Sequence, residues 1–210
     1  MNLLTKYKLI QKTIKLDNLR IKLYQSENLD AYFDAMTSVD FGVDERFPYF
    51  VNIWESGIQL SNFFLKDYKL SNKNIIELGS GGGIVGITLG LSGNHVLFTD
   101  FETDALKLCE INAYLNKFKN YDTLLCDWRN FPEIEKDFDY IIGSDLLYEK
   151  RFVMPLYNTV KPFINKGCVF ILSDPGRNHI MEFIELFKDD NYKIVQLKKN
   201  EKVLIYEIRL

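Results

Sequence analysis

The stretch NIIELGSGGGIVG, Asn74 to Gly86, carries a short apolar run straight into a glycine cluster and out into a second apolar run. A β-branched run of this length bounded by glycine reads as a buried strand, and the residues beyond it as the start of a helix. Glycines at such a junction let backbone N–H groups approach a ligand closely, and the helix N-terminus adds a favourable potential for an anion. Gly81, Gly83 and Gly86 satisfy the spacing G-x-G-x-x-G, and Asp100 lies 19 residues after Gly81 at the end of the next apolar segment, HVLFTD. An acid in that place suits ribose hydroxyls. The loop therefore points to a nucleotide-like cofactor without saying which one.

Downstream, helical and strand-like segments alternate. TDALKLCEINAYLNKF has helical spacing, YDTLLCDW and FDYIIGSD read as strands, RFVMPLYNTVKPFI as a helix, and GCVFILSD as a fifth strand. Alternation of this kind predicts a parallel sheet covered on both faces. The end differs. After a helix over 178–189, YKIVQLKK and KVLIYEIRL are separated only by Asn200-Glu201. So short a connection cannot cross over, and the two strands are expected to pair antiparallel.

Upstream, residues 8–24 alternate apolar and polar on both sides of Asp17-Asn18, which predicts a β-hairpin. A short helix is expected over 26–36 and another in IQLSNFFLKDY. The expected organisation is an N-terminal extension over 1–45 and one α/β domain over 46–210.

Composition narrows the function classes. The 26 basic and 29 acidic residues, net charge −3, are well mixed, which disfavours a large nucleic-acid footprint. Cys109, Cys126 and Cys168 form no C-x-x-C and are odd in number, so a disulfide framework is not expected. His95 and His179 stand apart, giving no reason to expect a metal site. No apolar run approaches the ~20 residues of a membrane helix, and the N-terminus lacks a signal-peptide core. A cytoplasmic protein with no membrane partner is the expectation.

Three features separate a dehydrogenase from a methyltransferase. About 70 residues precede the glycine strand, whereas a dinucleotide half usually opens its domain. Only five α/β strands precede the terminal hairpin, which leaves no room for a substrate domain. Glu77 and Gly79 extend the motif upstream to E-x-G-x-G-x-G. Here the chain resembles the class I, seven-β-strand methyltransferases dependent on S-adenosylmethionine (AdoMet), whose Rossmann-like sheet ends in such a hairpin. Within them it is similar to the protein-lysine methyltransferases, through NIWESGIQLSNFFL, IIELGSGGGIVGI, VLFTD, CDW and SDLLYEKRF in family order. FPYFVNIWESG and SDPGR suggest the group that includes the electron-transfer-flavoprotein β-subunit lysine methyltransferase and its bacterial relatives.

The resemblance implies AdoMet as cofactor and a protein substrate carrying the target lysine. It also implies roles. Gly79, Gly81 and Gly83 would form the floor beneath the methionyl part of AdoMet, and Glu77 would hold its amino group or the loop itself. Asp100 would accept from the ribose, Asp127 and Trp128 would lie beside adenine, Trp54 would cover the cofactor, and Ser144 would join this set. Asp145 and Tyr148 are the catalytic candidates. Where DNA and RNA amino-methyltransferases often carry Asn-Pro-Pro-Tyr, this chain has Ser144-Asp145-Leu146-Leu147-Tyr148, which resembles the lysine-methylating branch. Asp145 would orient the amine and Tyr148 would line the channel for its aliphatic stem. Arg177, beyond the turn Pro175-Gly176, is expected to meet an acidic surface on a protein substrate. A small-molecule or RNA methyltransferase, and a non-catalytic AdoMet-binding module, are the alternatives.

Overall fold

The strands predicted from Asn74 onward all form in the computed structural model, which describes residues 2–29, 47–188, 190, 192–199 and 202–210. They are β3 (Asn74–Leu78), β4 (His95–Asp100), β5 (Tyr121–Leu125), β6 (Tyr140–Ser144), β7 (Val169–Asp174), β8 (Lys193–Lys199) and β9 (Leu204–Arg209). Ahead of them stand β1 (Leu9–Leu16) and β2 (Leu19–Ser26). The helices are α1 (Leu3–Lys6), α2 (Glu55–Lys66), α3 (Ile84–Leu91), α4 (Thr103–Leu115), α5 (Val153–Asn165) and α6 (Asn178–Lys188). The short helix expected over 26–36 lies, from residue 30 on, outside the described residues.

The main sheet has the order β5-β4-β3-β6-β7-β9-β8. Pairs β5–β4, β4–β3, β3–β6 and β6–β7 are parallel, while β7–β9 and β9–β8 are antiparallel, the last as its short connection requires. The chain builds outward from β3 through β4 to β5, then returns to lay β6 on the other side of β3. In open α/β sheets that reversal opens a crevice beyond the carboxyl ends of the two central strands.

Side chains alternate across each strand, so the sheet separates two cores. Ile75, Phe98 and Ile142 face α2, α3 and α4, where Leu60, Phe64, Val85, Ile87 and Cys109 pack. Ile76, Leu78, Ile141 and Phe170 face α5 and α6, against Leu156, Val160, Phe183 and Phe187. Burial of this kind contributes roughly 1.5–3 kcal/mol per large apolar side chain.

The β1–β2 hairpin adds its own apolar face to the first core: Leu16, Ile21 and Leu23 are fully buried there. Two asparagines one turn apart, one on α4 and one at its C-terminal end, tie down the edge of β2. Asn112 accepts the Tyr24 N–H at 2.8 Å, and the amide of Asn116, which follows the helix, both accepts from Lys22 N–H at 3.0 Å and donates to Lys22 O at 2.7 Å. Such contacts occupy backbone groups that an edge strand would otherwise expose.

Candidate active site at the switch point of the sheet

The crevice predicted by the strand order is a cavity of about 370 Å³. Residues from the ends of β3, β4, β5, β6 and β7 line it.

Its floor begins at Glu77 on β3, whose buried carboxylate accepts the Gly86 N–H of α3 through Oε2 at 3.1 Å. Burial pushes the Glu77 carboxyl from 4.5 up to about 8, against the opposing pull of that N–H. Gly86 has no room for a side chain: a Cβ there would lie 2.4 Å from Glu77 Oε2 and 2.4 Å from the Phe98 ring. Of the two roles expected for Glu77, holding the loop is the one that this bond serves.

The loop itself turns through left-handed residues, Gly79 (φ 58°), Gly81 (φ 51°) and Gly83 (φ 80°). At Gly79 a Cβ would come within 2.8 Å of Leu146 and 3.0 Å of Trp128. Gly79, Ser80, Gly81 and Gly82 line the cavity. Gly83 does not. A Cβ there would sit 3.1 Å from Cys109 Sγ and 3.4 Å from Phe98, on the protein side of the loop.

Asp100 ends β4 beside this floor. Its Oδ2 accepts the Gly81 N–H and its Oδ1 the Glu102 N–H, each at 3.0 Å. A carboxylate offers about four acceptor positions, so both oxygens keep capacity for hydroxyl donors in the cavity. Burial raises the Asp100 carboxyl from 3.8 to about 6, with the two N–H groups pulling the other way.

Past β5, Asp127 caps the next turn by accepting the Arg129 N–H at 2.8 Å and pairs with the Arg129 guanidinium at 2.6 Å. Trp128 lies over Gly79 and meets Phe152 edge-on at 5.8 Å between ring centroids. Across the cavity, Trp54 precedes α2 and donates its indole N–H to Tyr49 O at 3.1 Å. Ser144 ends β6 on the cavity wall.

Asp145 follows in a left-handed conformation, φ 59°, uncommon for a residue with a side chain and a frequent companion of function. Its N–H donates to Ser173 O at 3.0 Å, which anchors it to β7. Oδ1 accepts from Arg177 Nη1 at 2.9 Å, while Oδ2 is closed off from water and has no hydrogen-bond partner among the described residues. Burial raises the Asp145 carboxyl above its usual range, and Arg177 opposes that rise. Arg177 therefore turns inward to Asp145 instead of outward to an acidic surface. Tyr148 stands between two rings, Tyr49 at 5.3 Å and Phe152 at 4.8 Å, and burial holds its phenol protonated.

Trp54, Glu77, Gly79, Gly81, Asp100, Asp127, Trp128, Ser144, Asp145 and Tyr148 thus share one cavity. Sequence reasoning missed Tyr49 and Phe152, and gave Arg177 a different role. The first two sit in the aromatic runs FPYF and EKRF, and a second ring four residues after Tyr148 was an available signal.

AdoMet, a nucleoside with a cationic amino-acid tail, fits this cradle. Side-chain-free backbone at Gly79 and Gly81, a buried carboxylate at Asp100 and a flat indole at Trp128 line the cavity and would hold it.

Comparison with known proteins agrees. Residues 49–190 match the family described as Lysine methyltransferase. EEF1A lysine methyltransferase 3 of Xenopus tropicalis is 29% identical over 168 residues, covering 74% of this chain and 73% of that protein. Protein-lysine methyltransferase METTL21E of Bos taurus is 33% identical over 183 residues, 75% of this chain and 63% of its own length. Among solved structures, the 16S rRNA N2 G1207 methyltransferase of T. thermophilus, in complex with AdoMet and guanosine, superposes with a TM-score of 0.66. At 13% identity, over 96% of this chain and 50% of that one, it shows the fold alone. With a Rossmann-like methyltransferase sheet, a cradle that fits AdoMet and a family match across most of its length, the chain belongs to the lysine methyltransferase family and is an AdoMet-dependent methyltransferase.

Proposed function

We propose that the protein methylates a lysine side chain of a protein substrate, and that the cavity is divided between cofactor and acceptor. Gly79, Gly81, Asp100, Asp127, Trp128, Trp54 and Ser144 serve the cofactor, with Glu77 bracing the loop. Asp145 and Tyr148 serve the acceptor. The observation that carries this reading is the wall around Tyr148. With its flanking rings, Tyr49 and Phe152, Tyr148 makes an aromatic wall of the same cavity that Asp145 lines. An aliphatic stem with a single nitrogen at its tip suits such a wall, and aromatic faces also attract an ammonium.

When bound, AdoMet supplies a methyl group on a sulfonium, open to displacement by an unprotonated amine. Alignment of that amine is mainly a matter of positioning, worth a large part of the barrier. Free lysine titrates near ~10.4, so the site must also favour the neutral amine. Apolar surroundings do so by penalising the charged form. Asp145 is assigned to orientation and not to general-base work, since a carboxylate alone would hold the proton on the nitrogen.

The three cysteines are free and buried, which is compatible with a reducing compartment and supports a cytoplasmic location. Among the described residues no helix is long and apolar enough to cross a membrane.

The test is incubation of the purified protein with tritiated AdoMet and a cell extract, followed by hydrolysis of the labelled protein. N-methyl-lysine is the expected product. Label recovered in nucleic acid or small molecules, or in protein as another methylated residue, would overturn the assignment of the acceptor.

A further inference from the structure

Arg177 stands at the start of α6, on a loop that Asp174 shapes. Asp174 is fully buried at the end of β7; its Oδ1 accepts the N–H groups of Gly176 at 2.8 Å and Arg177 at 2.7 Å. Its Oδ2 takes Arg177 Nη1 at 3.2 Å, and that same nitrogen reaches Asp145 Oδ1 at 2.9 Å. One guanidinium nitrogen thus bridges carboxylates at the ends of two adjacent strands. Neither the cofactor half nor the aromatic wall accounts for this bridge.

We infer that Arg177 is a positioning residue for methyl transfer, clamping Asp145 through Oδ1 so that the acceptor amine meets a carboxylate of fixed orientation and partly offset charge. This rests on the reading of Asp145 as the acceptor-side carboxylate. The clamp answers a physical difficulty. A bare carboxylate beside an ammonium resists its deprotonation, whereas one that shares a guanidinium resists it less, the single cation offsetting part of the charge of the two carboxylates. Two neighbouring carboxylates would also oppose each other's ionisation without a shared cation.

The groups around Asp145 are Arg177 and Asp174 from the loop after β7, the Ser56 hydroxyl from α2, and the Glu149–Arg151 ion pair farther along its own loop. Of these, Arg177 is the cation paired with Asp145, and it opposes the upward push of burial. Without it the Asp145 carboxyl rises further, so the ionised form is lost at a higher pH. The deficit is then largest at low pH and narrows as pH increases.

Arg177→Gln and Arg177→Lys, made in the full chain, test this, with AdoMet affinity by calorimetry as the control for folding. Tritium transfer from AdoMet to lysine of extract protein is followed across pH. The expected result is that Arg177→Gln slows transfer more than about tenfold near neutral pH, with AdoMet affinity within about threefold of wild type. The loss shrinks at alkaline pH, and Arg177→Lys keeps most of the rate. Wild-type rates for Arg177→Gln at every pH would overturn the clamp, as would a pH-independent loss shared equally by Arg177→Lys. If wild type itself methylates no lysine, the proposed acceptor fails, and a carbon-13 titration of the Asp145 carboxylate decides on the clamp. A midpoint raised by Arg177→Gln supports it, and an unchanged midpoint removes it.

Discussion

At the scale of single residues, the carboxylates of the crevice divide by what they already hold. Asp100 spends one lone pair of each oxygen on the backbone, at Gly81 and Glu102, and in the proposed reading offers the rest to the cofactor. Asp100→Ala is therefore expected to weaken AdoMet and its demethylated product alike, each by more than about tenfold, because charge-assisted bonds to the shared ribose are lost. Calorimetry with both ligands checks this, and equal affinity in the variant would remove Asp100 from the site. Glu77 makes a pH prediction. Its carboxyl rises from 4.5 to about 8 in the folded protein, so the folded state binds the proton more tightly than the unfolded chain. The stability contributed by that proton is complete below the unfolded value and is lost as pH rises through about 8. The ligand-free protein should melt at progressively lower temperature over that window, and Glu77→Gln should flatten the slope. A thermal scan showing the same slope in both would contradict the assignment.

At the scale of elements, the strands were legible because each is a short apolar run closed by a turn or an acid, and the antiparallel end because two residues cannot make a crossover. What a glycine motif does not disclose is which side of the loop each missing Cβ faces. Gly79 and Gly83 look equivalent in the sequence, yet one opens the cavity and the other admits Cys109 and Phe98 from below. Arg177 was misread for a related reason. Its inward turn depends on the pairing with Asp145, 32 residues away in the chain, a contact that local pattern does not encode. Gly86 sets a tight constraint beneath the site, pressed between Glu77 and Phe98. Gly86→Ala should destabilise the protein by about 2 kcal/mol through overpacking, and weaken AdoMet binding by loosening the Glu77 contact. Denaturant unfolding with and without AdoMet reads both effects. A variant as stable as wild type would mean that α3 can shift away from β3.

At the scale of the whole molecule, the crevice exists because β6 returns to the far side of β3, and the topology alone assembles residues from five strand ends. That much followed from the alternation of elements. The aromatic wall did not, because Tyr49 comes from the segment before α2, and only the folded chain brings it to Tyr148 and its neighbour Phe152. The division of the crevice into a cofactor half and an acceptor half is tested most directly by Asp145→Ala, measured for both functions in one preparation. Methyl transfer to protein lysine should fall by more than about a hundredfold while AdoMet affinity stays within about threefold, because only the acceptor loses its partner. Transfer at the wild-type rate, or a collapse of AdoMet binding together with transfer, would contradict that division.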